Sequence, residues 1–192
     1  MTSMTAGTPE KIWEQLGDIK RWIDQQSPVD EATALTMRVM KIGEEYGEAC
    51  EALLAPGPQN KPELVKELCD VILTAAVALY TADDKARKQL LAALSRFDGF
   101  SEVPISKLML KIGQDFGAAC QALIGVRAYN PRKGASHTLE DLVACLCDVI
   151  RSSMIALDDV EPEPERTLAA NLERVHDRSL GVTRLPTEAP HS

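Results

Sequence analysis

Aromatic residues are scarce in this chain: two Trp, three Tyr and three Phe among 192 positions, or 4%. Sheet cores draw on aromatic and β-branched side chains, so the scarcity turns the reading toward helices, whose formers Ala, Leu, Glu and Lys are abundant. Histidine is scarcer still, at three residues. None lies three residues after a Glu in the central helical segments, which sets aside a di-iron bundle built on Glu-x-x-His. Positive charge is also short. Lys and Arg total 21 against 29 Asp and Glu, a formal charge of −8, which argues against a duplex nucleic-acid partner. An anionic substrate then needs local help from a metal ion or a basic loop. The longest uncharged run, Val71 to Ala82, has 12 residues; a membrane span needs about 20, so no membrane partner is expected. No basic region leads into an apolar one near the start, so no secretory signal is expected. The five cysteines are odd in number and lie in apolar helical patterns, as reduced thiols in a cytoplasm would. No Walker-type glycine loop occurs, and Cys145-x-Cys147 is not a zinc spacing.

What is present is helical periodicity. After Thr8-Pro9, Ile12, Trp13, Leu16, Ile19, Trp22 and Ile23 recur at three- and four-residue spacing up to Gln26. A second helix is expected over 30–54, stopped by Ala55-Pro56-Gly57-Pro58. A third begins with Asn60 as cap and Glu63 behind it and runs through Leu79. A fourth covers 83–97 and a fifth 105–124. A sixth starts from a Thr138/Asp141 capping box and runs through Leu157; a seventh ends near Leu180, stopped by Gly181. The fold class expected is all-α. The 45% hydrophobic content is enough for one packed domain.

The chain also repeats itself. Residues 39–54, VMKIGEEYGEACEALL, match 109–124, MLKIGQDFGAACQALI, at 8 of 16 positions. Residues 64–77, LVKELCDVILTAAV, match 142–155, LVACLCDVIRSSMI, at 7 of 14. A weaker extension aligns Arg96 with Arg174. The offsets, 70 and 78, differ because the second unit has a longer loop. Two units follow, 9–99 and 100–181, between tails 1–8 and 182–192 expected to be disordered. Such units should pack as a pseudo-two-fold helical bundle, within a monomer or a homodimer.

The first unit carries Glu44-Glu45-Tyr46-Gly47-Glu48 and then Glu67-Leu68-Cys69-Asp70. Residues three apart share a helix face, so Glu45 with Glu48, and Glu67 with Asp70, converge if the two helices are antiparallel neighbours. Four like charges repel unless a cation lies between them, and all-oxygen ligands suit Mg²⁺ or Mn²⁺. The alternative is a solvated acidic face. Asp70 speaks against that, since it is embedded in an apolar stretch where an unpaired charge is costly. Cys50, Cys69, Cys120 and Cys147 read as packing residues, as do Tyr46 and Phe116. Gly43, Gly47, Gly113 and Gly117 inside helices imply close helix approach or room for a ligand.

The pattern Glu44-Glu45-x-x-Glu48, then Glu67-x-x-Asp70, resembles the metal motif of the MazG-like all-α nucleoside triphosphate pyrophosphohydrolases. Asn130-Pro131-Arg132-Lys133-Gly134 with His137-Thr138, ahead of Leu146-Cys147-Asp148-Val149-Ile150, adds to the resemblance, which covers residues 10–180. Related dimeric dUTPases also carry tandem copies. The resemblance implies Mg²⁺-dependent cleavage of a nucleoside triphosphate to its monophosphate and pyrophosphate. Metal would be held by Glu45, Glu48, Glu67 and Asp70, with Glu44 orienting or deprotonating the attacking water.

The second unit departs from that pattern. Gln114, Asp115, Ala118 and Cys145 stand where the first unit has Glu44, Glu45, Glu48 and Glu67; Asp148 alone matches cleanly. The first unit in turn lacks the basic loop. One composite site is therefore expected, with Asn130, Arg132 and Lys133 serving the phosphates, Arg in bidentate fashion. Lys41, Lys61, Arg96 and Arg174 are the next cations in line. The rival expectation is a catalytically silent helical scaffold or a nucleotide-binding regulator, which the degenerate second unit favours.

Overall fold

Short polar segments and prolines punctuate the chain, and helices fill the space between them. The computed structural model describes residues 9–57, 60–95 and 103–181. Among these residues the chain forms seven helices and no strand. They are α1 (Pro9–Gln26), α2 (Glu31–Leu54), α3 (Asn60–Ala82), α4 (Arg87–Leu94), α5 (Ile105–Val126), α6 (Leu139–Val160) and α7 (Pro164–Ser179). No helix among the described residues is long and apolar enough to cross a membrane. The expected tails, the Thr8 cap, Arg96 and the boundary between units at 99/100 lie outside the described residues.

Capping chemistry sets several starts. Asp30 accepts from the Thr33 backbone at 3.0 Å and opens α2. Thr138 and Asp141 form the full reciprocal capping box of α6. Pro164 takes the first turn of α7, where its missing N–H costs nothing. Asn60 differs from expectation: it is the first helical residue of α3, and its side-chain amide donates to Ala55 O at 3.3 Å.

Helix ends moved where tertiary partners intervene. α3 continues past Leu79 because Tyr80 packs on Trp13, ring centres 4.6 Å apart. Thr81 also receives a 2.6 Å hydrogen bond from the buried Arg38. α4 begins at Arg87 rather than Asp83, because Asp83 forms a turn: its carboxylate accepts from Lys85 N at 2.9 Å and its carbonyl from Ala86 N at 3.1 Å. α5 runs through Gly125, where Ser136 and His137 come so close that a Cβ would lie 2.2 Å from His137 Nδ1.

α3 and α6 pack on each other at the centre and carry the most apolar surface, with Leu68, Ile72, Leu79, Leu146, Ile150 and Leu157 all but sealed from solvent. α2 folds back on α3, and α5 on α6, as two antiparallel hairpins. α1 packs on α3 and α7, and α4 on α6. Across the top, α2 and α5 touch through a reciprocal contact. The Phe116 ring lies over Gly43, where a Cβ would meet it at 2.7 Å, and the Tyr46 hydroxyl lies over Gly113, at 2.6 Å. Tyr46 also donates to Met109 O at 2.9 Å. Tyr46 and Phe116, like Gly43 and Gly113, are 70 positions apart. Each helix thus lends a glycine to the other's aromatic ring. Gly47 and Gly117 face open space, with nothing within 4 Å of a Cβ.

Candidate metal and substrate site

The α2–α3 hairpin brings three carboxylates together. One oxygen each of Glu45, Glu67 and Asp70 lies within 4.8 Å of the others. Glu45 and Glu67 are buried, at 8% and 3% exposure, and Asp70 is half-buried. Helical periodicity accounts for this. Glu45 lies on the flank of α2 next to the Ile42–Ala49 core stripe, and Glu67 and Asp70 are three apart on α3. Glu48, one turn beyond Glu45, is exposed and stands at the rim, outside the cluster; Glu44 is exposed too.

Lysines partly neutralise the carboxylates. Lys41 reaches Glu45 at 2.7 Å and Glu44 at 2.9 Å. Desolvation works against its charge, but the hydrogen bonds to the two glutamates outweigh it and hold Lys41 above the usual lysine range. Lys66 contacts Glu67, with Asp70 at 3.6 Å and Glu63 at 3.7 Å. The hydrogen bond to Glu67 is the largest influence and raises Lys66 in spite of burial. Both ammonium groups sit on half-exposed stems.

Glu67 remains under-satisfied. Its Oε2 is buried with no hydrogen-bond partner. Burial first, then the neighbouring acids, push its carboxyl up to about 7 against the pull of Lys66. A buried carboxylate oxygen without a partner, two further carboxylates within reach and an all-oxygen donor set together fit a hard divalent cation. The cluster could therefore hold a metal ion.

α7 supplies a part that sequence reasoning missed. Asn171, buried at 8%, donates to Asp70 Oδ1 at 2.9 Å. Arg174 lies 3.6 Å from the same oxygen and donates through Nε to Asn171 Oδ1 at 3.1 Å. Asn171 stands 101 residues from Asp70, so only the repeat alignment of Arg96 with Arg174 pointed to this helix.

Glu45 and Asp70, with Glu44 and Glu48, line a cavity of about 940 Å³ between α1, α2, α3 and α7, and Glu67 lies behind them, outside its lining. Lys41, Lys66 and Arg174 line it beside the carboxylates, and Arg178 lines it too. The other end is apolar, with Ile19, Ile23, Val29, Met37 and Val77, and includes the ion pair of Asp24 with Arg38. Burial raises Asp24, but hydrogen bonds from Lys20 and Arg38 win and leave it below the usual carboxylate range. A second cavity of about 300 Å³, lined mainly by aliphatic side chains of α1, α3, α4 and α7, shares only Leu73 with the first.

Asn130, Arg132 and Lys133 lie in the α5–α6 connection and do not line the larger cavity. Their hydrogen bonds close a local turn: Asn130 Oδ1 accepts from Arg132 N at 3.1 Å, and Asn130 O from Lys133 N at 3.1 Å and Gly134 N at 2.9 Å. Gly134 has φ +61°, the left-handed conformation that favours glycine. Arg132 and Lys133 are exposed.

The five cysteines are free thiols. Burial pushes Cys69 up to about 12 and Cys147 up to about 11, so neither is a nucleophile at neutral pH. No family model matches the chain, and neither a curated protein nor a solved structure matches it.

Proposed function

We propose that the chain is a divalent-cation-dependent nucleoside triphosphate pyrophosphohydrolase. The observation that carries this reading is the Glu45–Glu67–Asp70 cluster, with the unpartnered Glu67 Oε2, of which Glu45 and Asp70 line a cavity that Lys41, Lys66 and Arg174 also line beside them. An acidic metal cluster beside lysine and arginine is the combination a polyphosphate substrate requires, since it brings charge that a metal alone does not neutralise.

Glu45, Glu67 and Asp70 would hold Mg²⁺, or Mn²⁺ in its place, with Glu48 at the rim as a further ligand. A divalent ion there supplies Lewis acidity toward phosphoryl oxygens and makes a coordinated water more acidic. Asn171 fixes the orientation of Asp70 by its hydrogen bond. Glu44 stands beside Glu45 at the cavity wall, where it can accept the proton of the attacking water. Lys41 and Lys66 neutralise the carboxylates until a metal binds, and their half-exposed stems then let them turn toward phosphate oxygens. Arg174 and Arg178 face the same space from α7. The apolar end, with the Asp24–Arg38 pair inside it, suits a base: flat apolar walls and one polar pair. Cytoplasmic residence fits the five free thiols.

The test is pyrophosphate release from a panel of ribo- and deoxyribonucleoside triphosphates, with Mg²⁺, with Mn²⁺ and with EDTA. Metal-dependent release from at least one nucleotide is expected. A folded chain that releases none overturns the reading; binding without turnover would favour a nucleotide-binding regulator instead.

A further inference from the structure

α2 and α5 have an outward face that nothing in the chain covers. Four of the nine large, strongly exposed apolar side chains among the described residues lie on this face: Met40, which also stands at the edge of the larger cavity, Leu54, Leu110 and Ile124. The pattern is regular. Met40, Gly47 and Leu54 are spaced by seven on α2, and Leu110, Gly117 and Ile124 are spaced by seven on α5. Residues seven apart stay on one helix face, drifting only about 20° per step. Each stripe therefore reads apolar, glycine, apolar. The end residues are 67% and 83% exposed on α2, 72% and 45% on α5. The middle glycines have open space where a Cβ would be. Each stripe lies beside the Gly43–Phe116 and Tyr46–Gly113 contact, so the two form one surface along the α2/α5 junction.

We propose that this surface is a self-association interface, where a second copy of the chain docks with α2 on the partner's α5 and α5 on the partner's α2. Two features choose a second copy as occupant. The stripes match residue for residue between α2 and α5, so α2 on the partner's α5 and α5 on the partner's α2 can pack in the same way. The charges are also complementary between the two helices. Glu44, Glu48 and Glu51 are exposed on α2, where Lys41 is paired with Glu44 and Glu45; α5 exposes Lys107 and Lys111, the latter paired with the buried Asp115, its single carboxylate. Laying α2 on a second α2 would set acid against acid; laying it on α5 sets acid against base, twice per dimer.

The register follows from the glycines. With antiparallel helices, Met40 enters the space over the partner's Gly117, and Leu110 enters that over the partner's Gly47. The same register sets Glu51 beside the partner's Lys107. Helices of 24 and 22 residues span about 36 and 33 Å. Side by side they present roughly 700 Å², close to the roughly 800 Å² per partner of a stable interface. The proposal does not depend on the catalytic reading and is tested without substrate.

The measurement is sedimentation equilibrium of the whole chain at micromolar concentration. Wild type is expected at twice the 21.0 kDa chain mass. Leu110→Glu is expected to run as a monomer with an unchanged helical circular dichroism spectrum, since Leu110 contributes little to the core. Lys107→Glu, wholly on the surface, is expected to weaken the dimer by roughly tenfold, and Lys107→Glu with Glu51→Lys to restore it. A monomeric wild-type chain overturns the proposal, as does a dimer that survives Leu110→Glu. A charge swap that fails to restore pairing overturns the α2-on-α5 arrangement.

Discussion

Asp70 and Asp148 occupy matching places in two copies of Leu-Cys-Asp-Val-Ile, and the bundle treats them differently. Asp70 keeps 18% of its side chain exposed and is met by Asn171 and Arg174 from α7. Asp148 keeps 51% exposed and pairs with Arg151 of its own helix at 2.6 Å. One turn earlier, Glu67 is buried with a free oxygen, while the second copy has Cys145. The next helices differ in the same sense. Asn171 aligns at an offset of 78 with Ala93, which is fully buried on α4, the helix that packs on α6. The Lys–carboxylate pair one turn apart survives in both copies, as Lys41–Glu45 and Lys111–Asp115. A lysine beside an acid is thus common ground. What distinguishes a site is a second helix that buries the acids and a third that directs them.

The sharpest way to break this comparison is to remove equivalent charges. Glu67→Gln and Asp70→Asn should each lower Mg²⁺-dependent pyrophosphate release by about 100-fold or more, beyond the effect of losing an outer-shell partner. Asp148→Asn should leave it within about twofold, the level of an ordinary surface substitution. Equal losses at Asp70 and Asp148 would end the single-site reading. Glu48→Gln, at the rim, should fall between them.

A smaller effect separates α7 from the basic loop. Asn171→Ala should weaken metal binding by about 10- to 100-fold, because Asp70 loses its orienting donor. Arg174→Ala should raise KM for the nucleotide more than Arg132→Ala combined with Lys133→Ala, since Arg174 lines the cavity and the loop pair does not. Nucleotide titrations in Mg²⁺ check both. A loop double variant with the larger KM would restore the loop to the site.

The helices and the core of the site could be read from sequence because each depends on spacing within one helix. Apolar spacing in the first helices, with caps, prolines and glycines for the others, located the seven elements, and the i, i+3 pairing of Glu67 with Asp70 located the cluster. What could not be read depends on contacts across the chain. The fourth helix is expected from Asp83, but Asp83 is engaged in its own turn, so α4 starts four residues later. Glu48 shares a helix face with Glu45, yet only Glu45 turns far enough inward to join Glu67. Asn171 has no local signature at all, since its role comes from α7 crossing α3. The four helical glycines left close approach or ligand space open. Gly43 and Gly113 show the first, and Gly47 and Gly117 have open space instead.

Those glycines sharpen the comparison of halves at the level of stability. Gly43→Ala and Gly113→Ala each gain up to about 1 kcal/mol of helix propensity. Each also forces an aromatic ring to move, at a cost of about 1–3 kcal/mol. Phe116 over Gly43 has only packing to lose. Tyr46 over Gly113 must also give up its hydrogen bond to Met109 O, worth about 1 kcal/mol. Gly113→Ala should therefore be the more destabilising of the two in urea unfolding. Equal values would mean that the contact is symmetric in energy as well as in geometry.

The smallest expected effect is a pH dependence that the first half has and the second lacks. In the unfolded chain the Glu67 carboxyl titrates near 4.5; folded, it is raised to about 7, mainly by burial. Below about 4.5 it is protonated in both states and burial costs little. Between the two values the folded chain keeps a proton that the unfolded chain has released. Above about 7 both states are ionised, and the full cost of burying the charge is felt. The stability that Glu67 contributes therefore falls as pH rises through about 7. Asp24, held low, acts in the opposite sense, and its contribution is lost only as pH falls through the acidic range below the usual 3.8. In EDTA the wild-type melting temperature should drop by a few degrees relative to Glu67→Gln between pH 6 and pH 8; the variant cancels the titration of every other group. Cys145, at the matched position, is raised rather than ionised over that range, so Cys145→Ser should leave the difference unchanged. Saturating Mg²⁺ should reverse the slope, because a cation binds the ionised carboxylate and competes with its proton. A wild-type profile parallel to Glu67→Gln in EDTA would mean that Glu67 is ionised without penalty, and its unpartnered oxygen would then be no argument for a cation.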